Sequence, residues 1–232
     1  MRVVFVHGAC VRDGAWWWHR TAELLRERGV ASTAPALPSC GEAGVPGGVD
    51  GPGLPDDVAA VRAVLRAGDE PTVVVAHSYG GIVTAEAAAG LGSVRHLVLV
   101  AGYLPDVGQS LSDFGAGDGP APFLDVDPGA GTFGVRPELL VDTFLHDCDP
   151  RVRSQAPEHL ARQSLRVTGQ PVAAAAWQRV PSTYVVCARD RGTPARSQRE
   201  FARRADRVVE LDTGHHPFLS RPAAVRDLLL SL

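Results

Sequence analysis

Apolar residues in this chain gather into short, β-branched runs that alternate with stretches of helical spacing. Residues 3–6 form the first run, closed by His7 and Gly8, and read as a strand. Helical spacing begins at Trp16, Trp17 and Trp18 and continues through Leu24 and Leu25 to Gly29, which stands where a C-cap glycine belongs. Residues 30–36 read as a second strand, stopped by Pro35 and Pro38, and residues 39–55 as a glycine- and proline-rich loop. Asp56 and Asp57 open a helical stripe of Val58, Val61, Val64 and Leu65. Strand 72–76 then runs into an abrupt turn at Ser78, followed by Gly80, Gly81 and a helix through Ala85, Ala88 and Leu91. Residues 96–101 form the next buried run. From 105 to 180 no clear strand emerges, and the only helical signals are weak ones at 137–146 and 157–165. Strand 182–187, helix 194–204, strand 207–211, loop 212–218 and a final helix to Leu232 complete the pattern.

Six strands alternating with helices predict an α/β fold with a mostly parallel, doubly wound six-stranded sheet. Residues 1–104 and 181–232 form the expected core. Residues 105–180 are too long for a connection and are expected to form an inserted, mainly helical cap. Such a cap sits over the strand C-termini, where open α/β sheets bind ligands.

Composition narrows the function classes. At 232 residues, with 45% hydrophobic and 21% charged residues, the chain has enough material for a full core. A net charge of -3 argues against a nucleic-acid footprint. No apolar run reaches the roughly 18 residues of a membrane span. The chain opens directly on a strand, without a hydrophobic leader, so a cytoplasmic location is expected. Its 4 cysteines are scattered, which argues against zinc and against a disulfide framework; buried thiols are expected. All basic residues are arginine, which with abundant alanine and glycine resembles the usage of a high-GC bacterial genome and excludes a mechanism that needs a lysine amine.

The stretch Ala76-His77-Ser78-Tyr79-Gly80 nearly matches Gly-x-Ser-x-Gly, the strand–turn–helix that lifts a serine hydroxyl above a sheet. Residues two before and two after the serine must be small because strand and helix approach closely there. An ordinary glycine-bearing turn could carry the same pentapeptide, so the rest of the chain has to supply a base, an acid and an oxyanion hole. His215 follows the last strand and Gly214; His216 is the fallback base and otherwise lines the pocket. Serine, acid, histidine is the chain order of the α/β hydrolases. Asp190, just past strand 182–187, is the preferred acid; Asp106 is the alternative, and Asp212 lies too close to His215. The amide of Tyr79 and that of Ala9, in the loop after the first strand, are the expected oxyanion donors. A histidine base must be neutral, so the rate is expected to fall at acid pH.

With those residues in place, the chain resembles the compact α/β-hydrolase group that includes plant salicylate-type methylesterases, hydroxynitrile lyases and bacterial esterases. His7-Gly8-Ala9-Cys10, the tryptophan cluster, the elbow at Ser78, the stretch from Tyr184 to Asp190 and Gly214-His215 carry the resemblance. It implies Ser78, Asp190 and His215 as a triad, Ala9 and Tyr79 as oxyanion donors, a sheet lacking the two N-terminal edge strands of larger relatives, no cofactor, no metal, and a homodimer as one expected state. The lyases of this group carry lysine after the catalytic histidine; here His216 stands there, which speaks against cyanohydrin cleavage. The expected activity is hydrolysis of a small or medium apolar ester, lactone or thioester through an acyl-enzyme. The alternatives are non-hydrolytic chemistry on the same His–Asp pair (cyclisation, acyl transfer or cofactor-free oxygenation) and a ligand-binding protein with a vestigial triad. Phe114, Phe123, Phe133, Phe144 and Trp177 suggest an apolar, aromatic pocket in the cap, with packing inside the cap an equal alternative for any one of them.

Overall fold

In the computed structural model, which describes residues 1–115 and 119–232, alternation along the strands divides the core into two halves. In β1 (Arg2–Val6), Val4 and Val6 face one apolar layer while Val3 and Phe5 face the other. After α1 (Gly14–Arg26), β2 (Ala31–Thr33) and α2 (Leu54–Arg66), β3 (Thr72–His77) repeats the alternation: Val74 and Ala76 on the first side, Val73 and Val75 on the second. α3 (Gly80–Ala87) and β4 (Val94–Val100) follow. The segment after β4 contains β5 (Leu124–Asp127), β6 (Thr132–Val135), α4 (Pro137–Phe144), α5 (Pro150–Gln155), β7 (Gln163–Ser164) and α6 (Arg166–Gly169). The chain then returns through β8 (Ser182–Cys187), α7 (Ala195–Ala202), β9 (Arg207–Leu211), α8 (Pro217–Ser220) and α9 (Pro222–Leu230).

The main sheet has six strands in the order β2-β1-β3-β4-β8-β9, every neighbouring pair parallel. Helices α2, α3 and α7 cover one face; α1, α8 and α9 cover the other. Burial on both faces explains why β3 is buried at every position and runs apolar without alternation from Val73 to Ala76. Because the strands are parallel, the residues after β1, β3, β8 and β9 all emerge at one end. The order reverses between β1 and β3, so Ala9 and Ser78 flank the switch point where such sheets open a crevice.

The inserted segment carries helices as expected, together with a small antiparallel sheet in the order β5-β6-β7, where the sequence pattern had suggested no clear strand. The helix expected at 157–165 is absent. Asp149 instead caps α5, its Oδ1 accepting Val152 N–H at 3.0 Å with Pro150 at the first helical position, and a 3-10 turn (Ala156–His159) leads into β7. β2 is shorter than expected. It lies at the sheet edge, pairs only with β1, and is stopped before Pro35.

Candidate active site

Ser78 lies between the end of β3 and the start of α3, with φ of 50°, a left-handed conformation that costs a side-chain-bearing residue about 1–3 kcal/mol. Its backbone is held on both sides. Ser78 N–H donates to Val100 O at 3.2 Å, and its own carbonyl accepts from Tyr103 N–H at 3.3 Å and Gly81 N–H at 3.0 Å. The two glycines are sterically required. A Cβ on Gly80 would lie 2.5 Å from Val6 O, and one on Gly81 would lie 2.1 Å from Tyr103 O. Ala76 replaces the usual glycine on the strand side and packs fully buried in the apolar layer beneath α3. The residues either side of Ser78 are buried, and Ser78 itself is half-buried.

The loop after β9 brings His215 against Asp190, with Nδ1 donating to Oδ2 at 2.6 Å and both side chains almost wholly buried. Three further donors hold the carboxylate: Gly192 N–H at 2.8 Å and Thr193 N–H at 3.0 Å on Oδ1, and Gln198 Nε2 at 2.8 Å on Oδ2. A carboxylate on Nδ1 fixes the tautomer and leaves Nε2 of His215 as the basic nitrogen. The two other acids lie elsewhere. Asp106 pairs with Arg204 at 3.3 Å, and Asp212 is exposed beside Arg189. No hydrogen bond joins Ser78 Oγ to His215 among the described residues.

The loop after β1 packs against the elbow: a Cβ on Gly8 would lie 3.2 Å from Ser78 Cβ. Its backbone is unusual, with Cys10 at φ of 60° and Asp13 at 61°. Cys10 N–H is committed to Gln163 Oε1 at 3.0 Å. The N–H groups of Ala9 and Tyr79 have no hydrogen-bond partner among the described residues and remain available to an anion.

Ser78, Tyr79, Ala9 and His215 line one cavity of about 1030 Å³. Phe114, Phe123, Phe133 and Phe144 line it too, joined by Trp17 and Phe218, while Arg191 is its one charged lining residue other than histidine among the described residues. Trp177 does not reach it. Its Nε1 donates to Pro105 O at 2.8 Å, and its ring packs under the Arg204 guanidinium. An aromatic residue in this segment has two apolar places to go, and nothing in the local sequence distinguishes them.

Residues 3–228 match the α/β hydrolase family. The chain belongs to that family. It is 29% identical over 196 residues to an α/β hydrolase of Aspergillus novofumigatus, covering 73% of this chain and 74% of that one. It is 26% identical over 269 residues to Methylesterase 7 of Arabidopsis thaliana, covering 100% and 95%. Among solved structures it superposes on a pyrethroid hydrolase of Sphingobium faniae JZ-2 with a TM-score of 0.86 at 21% identity, covering 100% of this chain and 96% of that one. This α/β hydrolase has, among the described residues, no helix long and apolar enough to cross a membrane.

The sequence assigned no role to His77, Asp147 or Gln198, and it offered His216 as fallback base or pocket wall; His216 lies on the wall. His77 precedes the serine, is buried, and donates from Nε2 to His215 O at 3.1 Å, tying the elbow to the histidine loop. Burial, reinforced by the neighbouring His215 and His216, pushes its pKa well below the ordinary value and keeps it neutral. His216 donates from Nδ1 to Phe144 O at 3.1 Å and stacks on Trp17. Asp147, in the inserted segment, accepts Gly214 N–H at 2.7 Å, and a Cβ on Gly214 would lie 2.6 Å from its other oxygen. Gln198 projects from α7 to brace Asp190.

Proposed function

We propose that this hydrolase cleaves an apolar carboxylic ester through an acyl-enzyme on Ser78. The carrying observation is the buried His215–Asp190 pair on the wall of the same cavity into which the positive-φ serine opens. Ser78 Oγ attacks the carbonyl carbon as His215 Nε2 takes its proton, in a contact that tightens once substrate is bound. The carbonyl oxygen becomes an oxyanion between the Ala9 and Tyr79 amides, each worth about 3 kcal/mol in the transition state. The C–O bond breaks, and His215 returns the proton to the departing alkoxide. Water, deprotonated by the same nitrogen, then releases the acid. Asp190 holds the tautomer and stabilises the transient imidazolium.

An apolar, aromatic-lined cavity favours a small-molecule ester with an aryl or alkyl portion, and similarity to a methylesterase supports an ester as substrate. Four buried free thiols fit the reducing conditions of a cytoplasm. The test is turnover of p-nitrophenyl butyrate by the Ser78→Ala enzyme. A loss of at least about 1000-fold with unchanged folding supports the reading. Retention of wild-type rates overturns it. With oxygen-18 water, label in the acid product is expected; a product without label would assign the same residues to non-hydrolytic chemistry.

A further inference from the structure

Five hydrogen bonds run, wholly inside the protein, from the residue after Ala9 to the residue after Ser78. Cys10 N–H donates to Gln163 Oε1 at 3.0 Å. Gln163 Nε2 donates to Ser39 Oγ at 2.8 Å. Ser39 N–H and Oγ donate to the two oxygens of Asp57, at 2.9 and 2.5 Å. The Tyr79 hydroxyl donates to Asp57 Oδ2 at 2.7 Å. Ser39, Asp57, Tyr79 and Gln163 are each 0% exposed. The direction of each bond from Cys10 to Asp57 is forced. A backbone N–H only donates, so the amide of Gln163 must present oxygen to Cys10 and nitrogen to Ser39, which leaves the serine proton for the carboxylate.

The two ends of this chain are the segments whose amides form the proposed oxyanion hole. Cys10 sits at φ of 60°, and such a backbone persists only where its surroundings hold it. That support comes from the segment inserted after β4: besides Gln163, Ala161 N–H donates to Cys10 O at 2.9 Å, Arg12 N–H donates to His159 O at 3.0 Å, and Val11 bridges Leu160. Gln163, Ser39 and Asp57 do not line the cavity, so they meet no substrate. Removing the Gln163 amide would orphan a buried N–H at Cys10 and free the loop that carries Ala9.

We infer that Gln163, Ser39 and Asp57 are positioning residues that set the spacing between the Ala9 and Tyr79 amides, with Gln163 making the inserted segment a working part of the oxyanion hole. The inference rests on the ester-hydrolase reading above.

Gln163→Met keeps the length of the side chain without its hydrogen bonds, and Tyr79→Phe removes one oxygen at the far end. Each is expected to lower kcat on p-nitrophenyl butyrate by about tenfold to a hundredfold with KM within about twofold, because sub-ångström misplacement of oxyanion donors is felt mainly in the transition state. An aryl trifluoromethyl ketone, whose adduct with Ser78 carries the same oxyanion, should weaken in the same proportion as kcat/KM. The double variant should lose little more than the worse single one, since both cut one chain. Wild-type kcat in both folded variants, losses that multiply, or an unchanged inhibitor constant would each overturn the relay. If Gln163→Met does not fold, Tyr79→Phe decides alone by the same readings. A Ser78→Ala enzyme that stays active defeats the underlying reading instead; one that is dead beside a fully active Gln163→Met defeats only the relay.

Discussion

His216 shows how far burial alone can take a single side chain. Its ring is stacked on Trp17, donates to Phe144 O and lies 6% exposed. Removal from water, then the adjacent His215, pushes its pKa down to about 3. The unfolded chain takes up a proton at this residue near pH 6.5, while the folded one refuses it, so between those two values the unfolded state binds more protons. Stability tied to His216 is therefore intact above about pH 6.5 and is lost as pH falls below it, by about 2 kcal/mol at pH 5. His77 works in the same sense. The expected outcome is a Tm that drops between pH 7.5 and pH 5, with a visibly smaller drop in His216→Gln; equal drops in the two proteins, followed by calorimetry, would reject it. The same reasoning rules out His216 as a cation standing in for the lysine of the lyases. The sequence alone left the role of this position between base and pocket wall, because neither spacing nor composition reports on desolvation.

At the scale of elements, α1 and α8 are joined to the sheet by one aromatic column. Trp18 stacks on Phe5 of β1 at 4.4 Å and on Phe218 of α8 at 3.9 Å between ring centroids. Its indole Nε1 is buried without a partner among the described residues, so the ring contributes through packing at some desolvation cost. Trp18→Ala is expected to lower unfolding free energy by about 3–5 kcal/mol. Trp18→Phe keeps a stacking ring, drops the orphan N–H, and should cost less than about 2 kcal/mol. Urea denaturation of the two variants measures the difference. Elements of this kind were readable in advance: apolar runs at β1, β3 and β8 stand out because both of their faces are covered, whereas β9, at the sheet edge, is largely exposed. The strands of the inserted segment were not. β5 alternates Leu124 and Val126, which line the cavity, with Asp125 and Asp127, but four residues of alternation between prolines and glycines are too few to outweigh a loop reading. The Asp149-Pro150 start of α5 was a stronger signal, and it lay just outside the stretch that the apolar spacing favoured.

Across the whole molecule, the inserted segment clasps the cavity from three sides. Gln163 holds the loop after β1, His146 reaches Arg189 O beside the acid loop at 3.0 Å, and Asp147 anchors Gly214 beside His215. The roof over the cavity is thus coupled to its floor: the segment that carries Phe123, Phe133 and Phe144 to the lining also carries the side chains that brace the reacting groups from behind. With most of the lining apolar, each methylene added to the acyl chain should bring about 0.8 kcal/mol of burial, or about fourfold in kcat/KM, until the cavity is filled. A series from p-nitrophenyl acetate to octanoate measures this; a flat or falling series would place the acyl chain outside the cavity.

The six main-sheet strands, the elbow at Ser78 and the candidates Asp190 and His215 were legible in the chain itself, because each depends on local pattern: an apolar run, a small residue at a tight approach, an acid or histidine just past a strand end. Only the folded molecule decided that Asp190 and not Asp106 or Asp212 meets His215, that Trp177 packs away from the cavity, and that His77, Asp147, Gln198 and Gln163 hold the site. Most of those outcomes are contacts between residues far apart along the chain. A polar side chain bound for such a contact looks in sequence like any solvated one, and it acquires a partner only when packing has removed the water it would otherwise have kept.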